Sequence, residues 1–309
     1  MLLTLLSLLF SGIAQAAVSP PLSWIWLHPF SWVPAFAVFS RLEGRRALLA
    51  GWLVGLAAEM AIYCWLPGTI ARFGGFPVPL AVLVWLLFAA GTGFYTAIFA
   101  WGFARIRRTA GPWWPLAIAA WFCALEFLNP QLFGYLQGVA WYQVPSLFLV
   151  VATTGVSGAS FLVIFGNALL LQGVEIEAGR RGFATSGWRV RFALFAGLVA
   201  VAAALSHARL AAIAEAEAAA TPIRIAIIQP RHTIPMREAM ERLERDVFAK
   251  DLVSLSREAV AATPAHIDAF VWPEGSLRME PSRKSNEAVL DFAREAGAEI
   301  WLGANQWET

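Results

Sequence analysis

The stretch Ala269-Phe270-Val271-Trp272-Pro273-Glu274 decides the interpretation of the second half of this chain. Its apolar residues, which begin at Ile267, are typical of a buried β-strand, and Pro273 ends that strand because proline has no backbone N–H to donate. The strand delivers one carboxylate, Glu274, at its C-terminal end, where open α/β sheets place their functional groups. We therefore predict that Glu274 is a general base.

Strands and helices can be placed on both sides of this stretch. The predicted order is a strand at Ile223–Ile228, a helix at Met236–Ala262, a strand at Ile267–Trp272, a helix at Ser282–Ala296 capped by Gly297, and a strand at Glu299–Ala304. This β-α-β-α-β run predicts the beginning of an α/β layered domain. Before it, the Ala- and Glu-rich segment His207–Ala220 predicts a helix that Thr221-Pro222 ends.

The overall composition is that of an integral membrane protein. Of the 309 residues, 59% are hydrophobic and only 14% are charged, and the mean hydropathy is +0.61, far above the values of ordinary soluble domains. The formal net charge is +2, which gives no indication of nucleic-acid binding. The lipid bilayer is the expected environment.

Apolar segments before residue 213 predict a bundle of about seven transmembrane helices. The segments are Met1–Val18, Trp24–Ser40, Ala47–Leu66, Pro79–Ala104, Trp113–Leu128, Val144–Leu171 and Phe192–Leu210. Ala14-Gln15-Ala16 could be a signal-peptidase site, but no Lys or Arg precedes it, which favours a retained first span. The predicted organisation is a transmembrane domain at 1–212, a helical connector at 213–221 and an α/β portion at 222–309.

Arginines in alternate loops predict the orientation of the bundle. They are Arg41, Arg45 and Arg46 in one loop, Arg105, Arg107 and Arg108 in a second, and Arg180, Arg181, Arg189 and Arg191 in a third. If these loops are cytoplasmic, the loops Pro67–Val78 and Asn129–Gln143 are external, and so is the α/β portion after the last span.

Two carboxylates, Glu59 and Glu126, fall within the apolar segments. A charge in the middle of a bilayer costs at least ~2.5 kcal/mol on insertion scales, so each needs a structural reason. For Glu59 we expect a protonated carboxyl that is hydrogen-bonded between helices. For Glu126 we expect a polar partner in the external loop 129–143 or a role at the level of the lipid headgroups.

These features together resemble the bacterial apolipoprotein N-acyltransferase family, membrane-embedded members of the carbon–nitrogen hydrolase (nitrilase) superfamily. The resemblance rests on a strand that runs into Gln229, a long helix, and a strand that ends at Trp272-Pro273-Glu274, all after about seven spans. Phe73-Gly74-Gly75, Phe133-Gly134-Tyr135 and Gly155-Val156-Ser157-Gly158 resemble the membrane part of the family. The resemblance covers nearly the whole chain.

The resemblance implies a fold, a reaction and a location. The 222–309 portion would be the N-terminal part of an αββα sandwich. A cysteine thiolate would take an acyl chain from a phospholipid as a thioester and pass it to the N-terminal amine of a diacylglyceryl-cysteine lipoprotein. A base activates such a thiol, and a lysine stabilises the oxyanion. No cofactor and no metal ion are implied, and the protein is expected to be a monomer in the bacterial inner membrane with its hydrolase portion on the periplasmic face.

The family's catalytic residues are only partly matched by this sequence. Glu274 matches the general base, whereas Lys250 and Lys284 are better interpreted as surface charges than as the catalytic lysine. The cysteines, Cys64 and Cys123, lie in apolar segments, so we interpret them as small buried residues without a disulfide rather than as the nucleophile. We therefore expect the chain to be an inactive fragment that lacks the Lys and Cys partners. Glu126 and Tyr135 are further candidates for substrate binding.

Two other functions remain open from the residues alone. A membrane-tethered nitrilase-like amidase would need the same triad but would leave about seven spans without a purpose. A non-catalytic membrane module or transporter would use the α/β portion only as a scaffold. Against it, the charges within the spans are too few to trace an ion path, and no inverted repeat is evident.

Overall fold

The computed structural model describes residues 1–129, 132–179, 185–230, 247–274, 277–278 and 284–305. The chain divides into two compact units, unit 1 at Met1–Ala218 and unit 2 at Ala219–Thr309. Unit 1 is helical, and unit 2 contains the strands. The division lies within a few residues of the predicted end of the connector at 221.

Eleven helices are described in unit 1. They are α1 (Leu2–Ala17), α2 (Val33–Phe39), α3 (Gly44–Ile62), α4 (Leu66–Gly74), α5 (Val78–Thr92), α6 (Phe94–Thr109), α7 (Trp114–Leu128), α8 (Pro145–Phe148), α9 (Val151–Thr154), α10 (Val156–Glu177) and α11 (Thr185–Ala219). Gln137–Gln143 forms a 3₁₀ helix before α8. Helix α11 ends at Ala219, which confirms the predicted helix before Thr221-Pro222.

Fewer helices than predicted are long enough to cross a membrane. Among the described residues, three meet the requirements of length and apolar composition: Val78–Thr109, which is α5 and α6 together, Val156–Glu177 and Gly187–Ala219. A fourth is obtained if α3 and α4, which meet at an angle of 56°, count as one span. The structure therefore supports three or four full-length spans instead of about seven.

Short helices and a broken segment explain this difference. Helix α1 has 16 residues and α7 has 15, and the segment Trp24–Ser40 contains only a short 3₁₀ helix and the seven residues of α2. The segment Val144–Leu171 is interrupted at Gly155, whose φ of 67° lies in the left-handed region that favours glycine, and only α10 after this break is long enough to span. An apolar composition reports that a segment avoids water, but it does not require one continuous helix.

Aromatic side chains form the centre of unit 1. The ring centroids of Phe36 and Phe103 lie 4.9 Å apart, and those of Phe99 and Phe122 lie 5.1 Å apart in an edge-to-face contact. All four side chains are at most 2% exposed. Aromatic pairs of this kind contribute about 0.5–1.5 kcal/mol each beyond the burial of their surface, so they hold α2, α6 and α7 together.

Gly93, at the junction of α5 and α6, lets this helix approach α3 closely. A Cβ atom at position 93 would lie 2.7 Å from the backbone nitrogen of Leu56, so a larger residue forces the helices apart. We expect Gly93→Ala to destabilise unit 1 by about 1–3 kcal/mol, as overpacking does elsewhere. Gly91→Ala is the matched control, because a Cβ at position 91 meets no atom within 4 Å. Thermal unfolding of the detergent-solubilised chain would measure both, and equal unfolding temperatures for the two variants would contradict the prediction.

Unit 2 is a small parallel sheet with two helices. The described strands are β1 (Ile225–Ile227), β2 (Ala269–Val271), β3 (Leu277–Arg278), β4 (Glu299–Trp301) and β5 (Ala304–Asn305), and the helices are α12 (Val247–Ala262) and α13 (Lys284–Ala296). β1, β2 and β4 form one parallel sheet in the order β1-β2-β4, and β3 pairs with β5. The predicted β-α-β-α-β run is thus confirmed where it is described; positions 236–246 of the predicted first helix lie outside the described residues.

The two faces of the three-stranded sheet differ in burial. Ala226, Phe270 and Ile300 are in register on one face and belong to the core that α12 and α13 complete. On the other face, Ile227 is 76% exposed and Trp301 is 49% exposed. The Ala298 N–H donates to the Ala293 carbonyl at 3.3 Å, and Gly297 has a φ of 62°, so α13 ends in the predicted glycine cap.

Candidate functional site

Glu274 lies at the C-terminal edge of the parallel sheet. The hydrogen bonds of the sheet continue to Trp272, whose N–H donates to the Trp301 carbonyl at 2.9 Å, and the chain turns at Glu274 two residues later. The Glu274 side chain is exposed. β2 and β4 pair on one side of this turn and β3 and β5 pair on the other. Glu274 therefore lies in the chain between the strands of two ladders, with its carboxylate exposed.

Buried contacts position the strand that carries Glu274. The Phe270 ring is fully buried and lies 5.2 Å from the Phe292 ring on α13. The Trp272 indole N–H donates to the hydroxyl of Ser256 on α12 at 3.1 Å. Both helices thus anchor β2 through residues that lie four and two positions before Glu274. Gln229, which follows β1, is at the same edge of the sheet because the strands are parallel.

The other residues considered for the triad do not join Glu274 among the described contacts. Lys250 is exposed on α12, as expected for a surface charge, and Lys284 is the first residue of α13. Both cysteines belong to unit 1 and are free. Cys64 is exposed, which differs from its interpretation as a buried residue, and the Cys123 thiol donates to the Ser157 carbonyl at 3.3 Å. Cys64 lies in the bend between α3 and α4.

A second cluster of polar groups lies in unit 1, around Glu126 near the end of α7. Glu126 is only 5% exposed, and its Oε1 accepts the backbone N–H of Gln137 at 2.6 Å. The predicted polar partner in the 129–143 loop is therefore confirmed. Its Oε2 has no hydrogen-bond partner, although the Ser160 hydroxyl lies beside the carboxyl.

Tyr135 lies in the same cluster. Its phenol oxygen accepts a hydrogen bond from the Ser19 hydroxyl at 2.9 Å and donates to the Gln15 carbonyl at 3.3 Å. Burial raises the pKa of Tyr135 to about 12, so the phenol stays neutral at physiological pH. Glu126 and Tyr135, predicted together as candidate substrate-binding residues, line one cavity.

Glu59 also lines this cavity. The Thr92 hydroxyl on α5 donates to Glu59 Oε2 at 2.9 Å, so the carboxyl is hydrogen-bonded between helices as predicted. Sequence reasoning missed three further members of the network, Gln15, His28 and Gln137. The Gln137 side-chain amide lies 2.5 Å from both Gln15 Oε1 and His28 Nε2. The sequence signal that could have identified these three residues is a polar side chain within or next to an apolar segment.

Comparisons with known proteins agree on one family. A model described as the apolipoprotein N-acyltransferase N-terminal domain matches residues 11–169. An apolipoprotein N-acyltransferase of Pseudomonas syringae pv. tomato is 27% identical over 94% of this chain and 57% of the relative, and one of Geobacter metallireducens is 26% identical over 96% and 56%. A Pseudomonas aeruginosa relative is 34% identical over 52% of this chain and 33% of its own length. The chain thus spans at most about 57% of these curated relatives.

Proposed function

The chain belongs to the apolipoprotein N-acyltransferase family, and from this we propose that it is part of the machinery that adds the third acyl chain to bacterial lipoproteins. The acyl donor would be a membrane phospholipid and the acceptor the N-terminal amine of a diacylglyceryl-cysteine. The observation that carries this proposal is the family match over 11–169, half of the chain, with similarity to two relatives that continues over both units.

Glu274 is proposed as the general base of the reaction. The carboxylate would remove the proton of a cysteine thiol, whose ordinary pKa near 8.5 leaves it mostly protonated at neutral pH. The thiolate would attack the phospholipid ester, and a lysine would stabilise the oxyanion of the tetrahedral intermediate. The exposed position of Glu274 at the C-terminal edge of a parallel sheet supports its role as the base.

The location of unit 2 is part of the proposal. We place residues 1–212 in the bacterial inner membrane, 213–221 in a connector, and 222–309 on the periplasmic side as the first part of a nitrilase-like αββα domain. The ion pair between Arg108 and Glu43 supports the orientation, since it brings two of the arginine-bearing loops to the same end of the bundle. Arg108 pairs there with Glu43, and this partner lowers the pKa of the Glu43 carboxyl.

Inactivating the gene in its source bacterium tests the proposed function. Lipoproteins should then keep a free N-terminal amine, and mass spectrometry of their N-terminal peptides would show the loss of one acyl chain. Restoring the gene should restore the third chain. Lipoproteins that remain fully N-acylated without the gene would contradict the proposal, unless a second gene of this family is present, so the test belongs in a strain with a single copy.

We further expect the 309-residue chain, expressed alone, to form no thioester with an acyl group. Its two cysteines both lie in unit 1, where the Cys123 thiol is half-buried and hydrogen-bonded to the Ser157 carbonyl. Incubation with a phospholipid that carries a labelled acyl chain, followed by release with hydroxylamine, measures thioester formation. A hydroxylamine-sensitive label that disappears in Cys64→Ser or Cys123→Ser would contradict the prediction and identify the nucleophile.

A further inference from the structure

The polar cavity of unit 1 has the composition of a binding site for a positively charged group. It lies where α3 and α7 end, and its lining contains the carboxyl groups of Glu59 and Glu126. Among the described residues, neither carboxylate makes an ion pair with a Lys, Arg or His side chain. Buried carboxylates without a counter-charge are costly, so the cavity favours a cation or a proton.

Three polar atoms of the cavity lining are buried without a partner. They are Oε2 of Glu126, a residue only 5% exposed, the phenol oxygen of Tyr95 on α6, and the indole nitrogen of Trp32. More than nine in ten buried polar groups in proteins are hydrogen-bonded, so unpaired atoms in one lining indicate an absent partner. An acceptor-only carboxylate oxygen needs a donor, and an N–H group of a ligand supplies one.

Aromatic rings form much of the remaining wall. Phe133 contacts Tyr63 and Phe88, with ring centroids 5.4 Å and 6.0 Å away, and Phe122 also lines the cavity. Aromatic faces attract organic cations but provide no ligands for a bare metal ion. No group of three or more His, Cys, Asp or Glu side chains in the described ranges could hold a metal ion. The lining thus favours an organic ammonium over a metal ion.

The size of the cavity limits the ammonium group. The cavity volume that the centre of a water molecule can reach is about 50 Å³. One water needs roughly 10–15 Å³ of this volume. Roughly three to five water-sized groups fit, which matches an ammonium group with one or two methylenes. A trimethylammonium group offers no N–H to the unpaired carboxylate oxygen and is bulkier.

We propose that this cavity binds a small primary ammonium group, with Glu126 and Glu59 as its counter-charges and the Tyr95 phenol as a further partner. The ammonium would donate to Oε2 of Glu126 while the backbone N–H of Gln137 holds Oε1. The group can come from an aminophospholipid headgroup or from a free amine. This site goes beyond the proposed function, since it lies in unit 1 and needs neither Glu274 nor a thioester.

Titration of the detergent-solubilised 309-residue chain with ethanolamine hydrochloride tests the site. The fluorescence of Trp32, which lines the cavity, reports binding against the background of the other tryptophans. At constant ionic strength we expect saturation with ethanolammonium, and at least about tenfold weaker binding of choline and of Na⁺. The proposal would be overturned if Na⁺ bound as tightly as ethanolammonium, or if the fluorescence showed no saturable change with ethanolammonium.

Isosteric variants attribute the response to the cavity. Glu126→Gln and Glu59→Gln should each weaken ethanolammonium binding by about tenfold or more, since each removes a counter-charge. Glu177→Gln removes an exposed carboxylate at the C-terminal end of α10, which is not part of the cavity lining. This variant should bind ethanolammonium as the wild type does. Thermal unfolding checks that all variants fold. Unchanged binding in folded Glu126→Gln would refute the site.

Short-chain phospholipids distinguish the two sources of the ammonium group. If dihexanoyl phosphatidylethanolamine binds more tightly than free ethanolamine, and Glu126→Gln abolishes this binding, the source is a lipid headgroup. Equal affinities identify the free amine, and dihexanoyl phosphatidylglycerol should not compete in either case. Competition by phosphatidylglycerol at the same affinity would overturn the proposal. Because no acyl transfer is measured, failure here is distinct from failure of the proposed function.

Discussion

Glu274→Gln, introduced at the natural locus, is expected to reduce N-acylation of a reporter lipoprotein by at least about 100-fold, because general base catalysis typically contributes roughly 10²–10⁴. Glutamine keeps the size and a hydrogen-bond acceptor but cannot take the proton of the thiol. Mass spectrometry of the reporter's N-terminal peptide, sampled over time, measures the rate of the third acylation. Hydroxylamine-sensitive labelling of the enzyme in the same strain reports formation of the acyl-enzyme.

Glu258→Gln is the control for this experiment. Glu258 is also an exposed carboxylate of unit 2, but it lies on α12 and not at the edge of the sheet. It should leave N-acylation unchanged, and both variants should accumulate to the wild-type level because neither side chain is buried. N-acylation within about threefold of the wild type in Glu274→Gln would mean that another group serves as the base.

The second large effect is expected in the core of unit 2. Phe270→Ala removes a fully buried ring that contacts Phe292, and such truncations lower the free energy of unfolding by about 3–5 kcal/mol. A small domain has a total stability of only about 5–15 kcal/mol. Because one face of the sheet is exposed among the described residues, we expect the stability of unit 2 to lie near the lower limit, so most of its protection against hydrogen exchange should be lost. Hydrogen exchange of peptides from 250–274 in the detergent-solubilised chain measures this.

Ile227→Ala tests whether the effect depends on the buried face. Ile227 is 76% exposed and lies on the opposite face of the same sheet. Its truncation leaves no cavity, so hydrogen exchange should change by less than about fivefold, whereas Phe270→Ala should change it by more than about 100-fold. Similar changes in the two variants would show that the exposed face of the sheet is covered in solution.

Local patterns predicted the elements of unit 2 with fair accuracy. The apolar run before Pro273 became β2, and Gly297 ended α13 where its φ of 62° closes the cap. These outcomes depend on side chains within a few residues of each other. The pairing of β3 with β5 was missed, because two-residue strands carry too little periodicity to be recognised.

The helices of unit 1 show where composition is insufficient. All seven apolar segments contain helices, but Trp24–Ser40 holds only seven α-helical residues and Val144–Leu171 breaks at Gly155. Hydropathy sums the transfer of side chains out of water and is insensitive to such breaks. Where the chain is packed against other helices, non-helical backbone groups find partners, so an interrupted segment is tolerated.

Arg107 is an example of a residue whose role only packing revealed. The arginine pattern predicts a cytoplasmic loop charge at this position, whereas the structure shows a side chain that is 4% exposed, with its guanidinium 2.5 Å from Glu175 on α10. It also lies over the Trp114 ring, with its central carbon 4.7 Å from the centroid. Sequence places a charge near the end of a helix but does not say whether it faces water or a partner.

The sequence by itself determined that the chain is a membrane protein with an α/β portion and that Glu274 follows a buried strand. These conclusions follow from composition, periodicity and short motifs, which act over a few residues, whereas the family was indicated by resemblance to known proteins. Only the tertiary structure decided that Glu59, Glu126 and Tyr135 share a cavity and that Gln137 meets Gln15 across 122 positions of the chain. Such meetings depend on how whole helices pack, because a buried polar group takes whichever partner the packing of the bundle brings within hydrogen-bond distance.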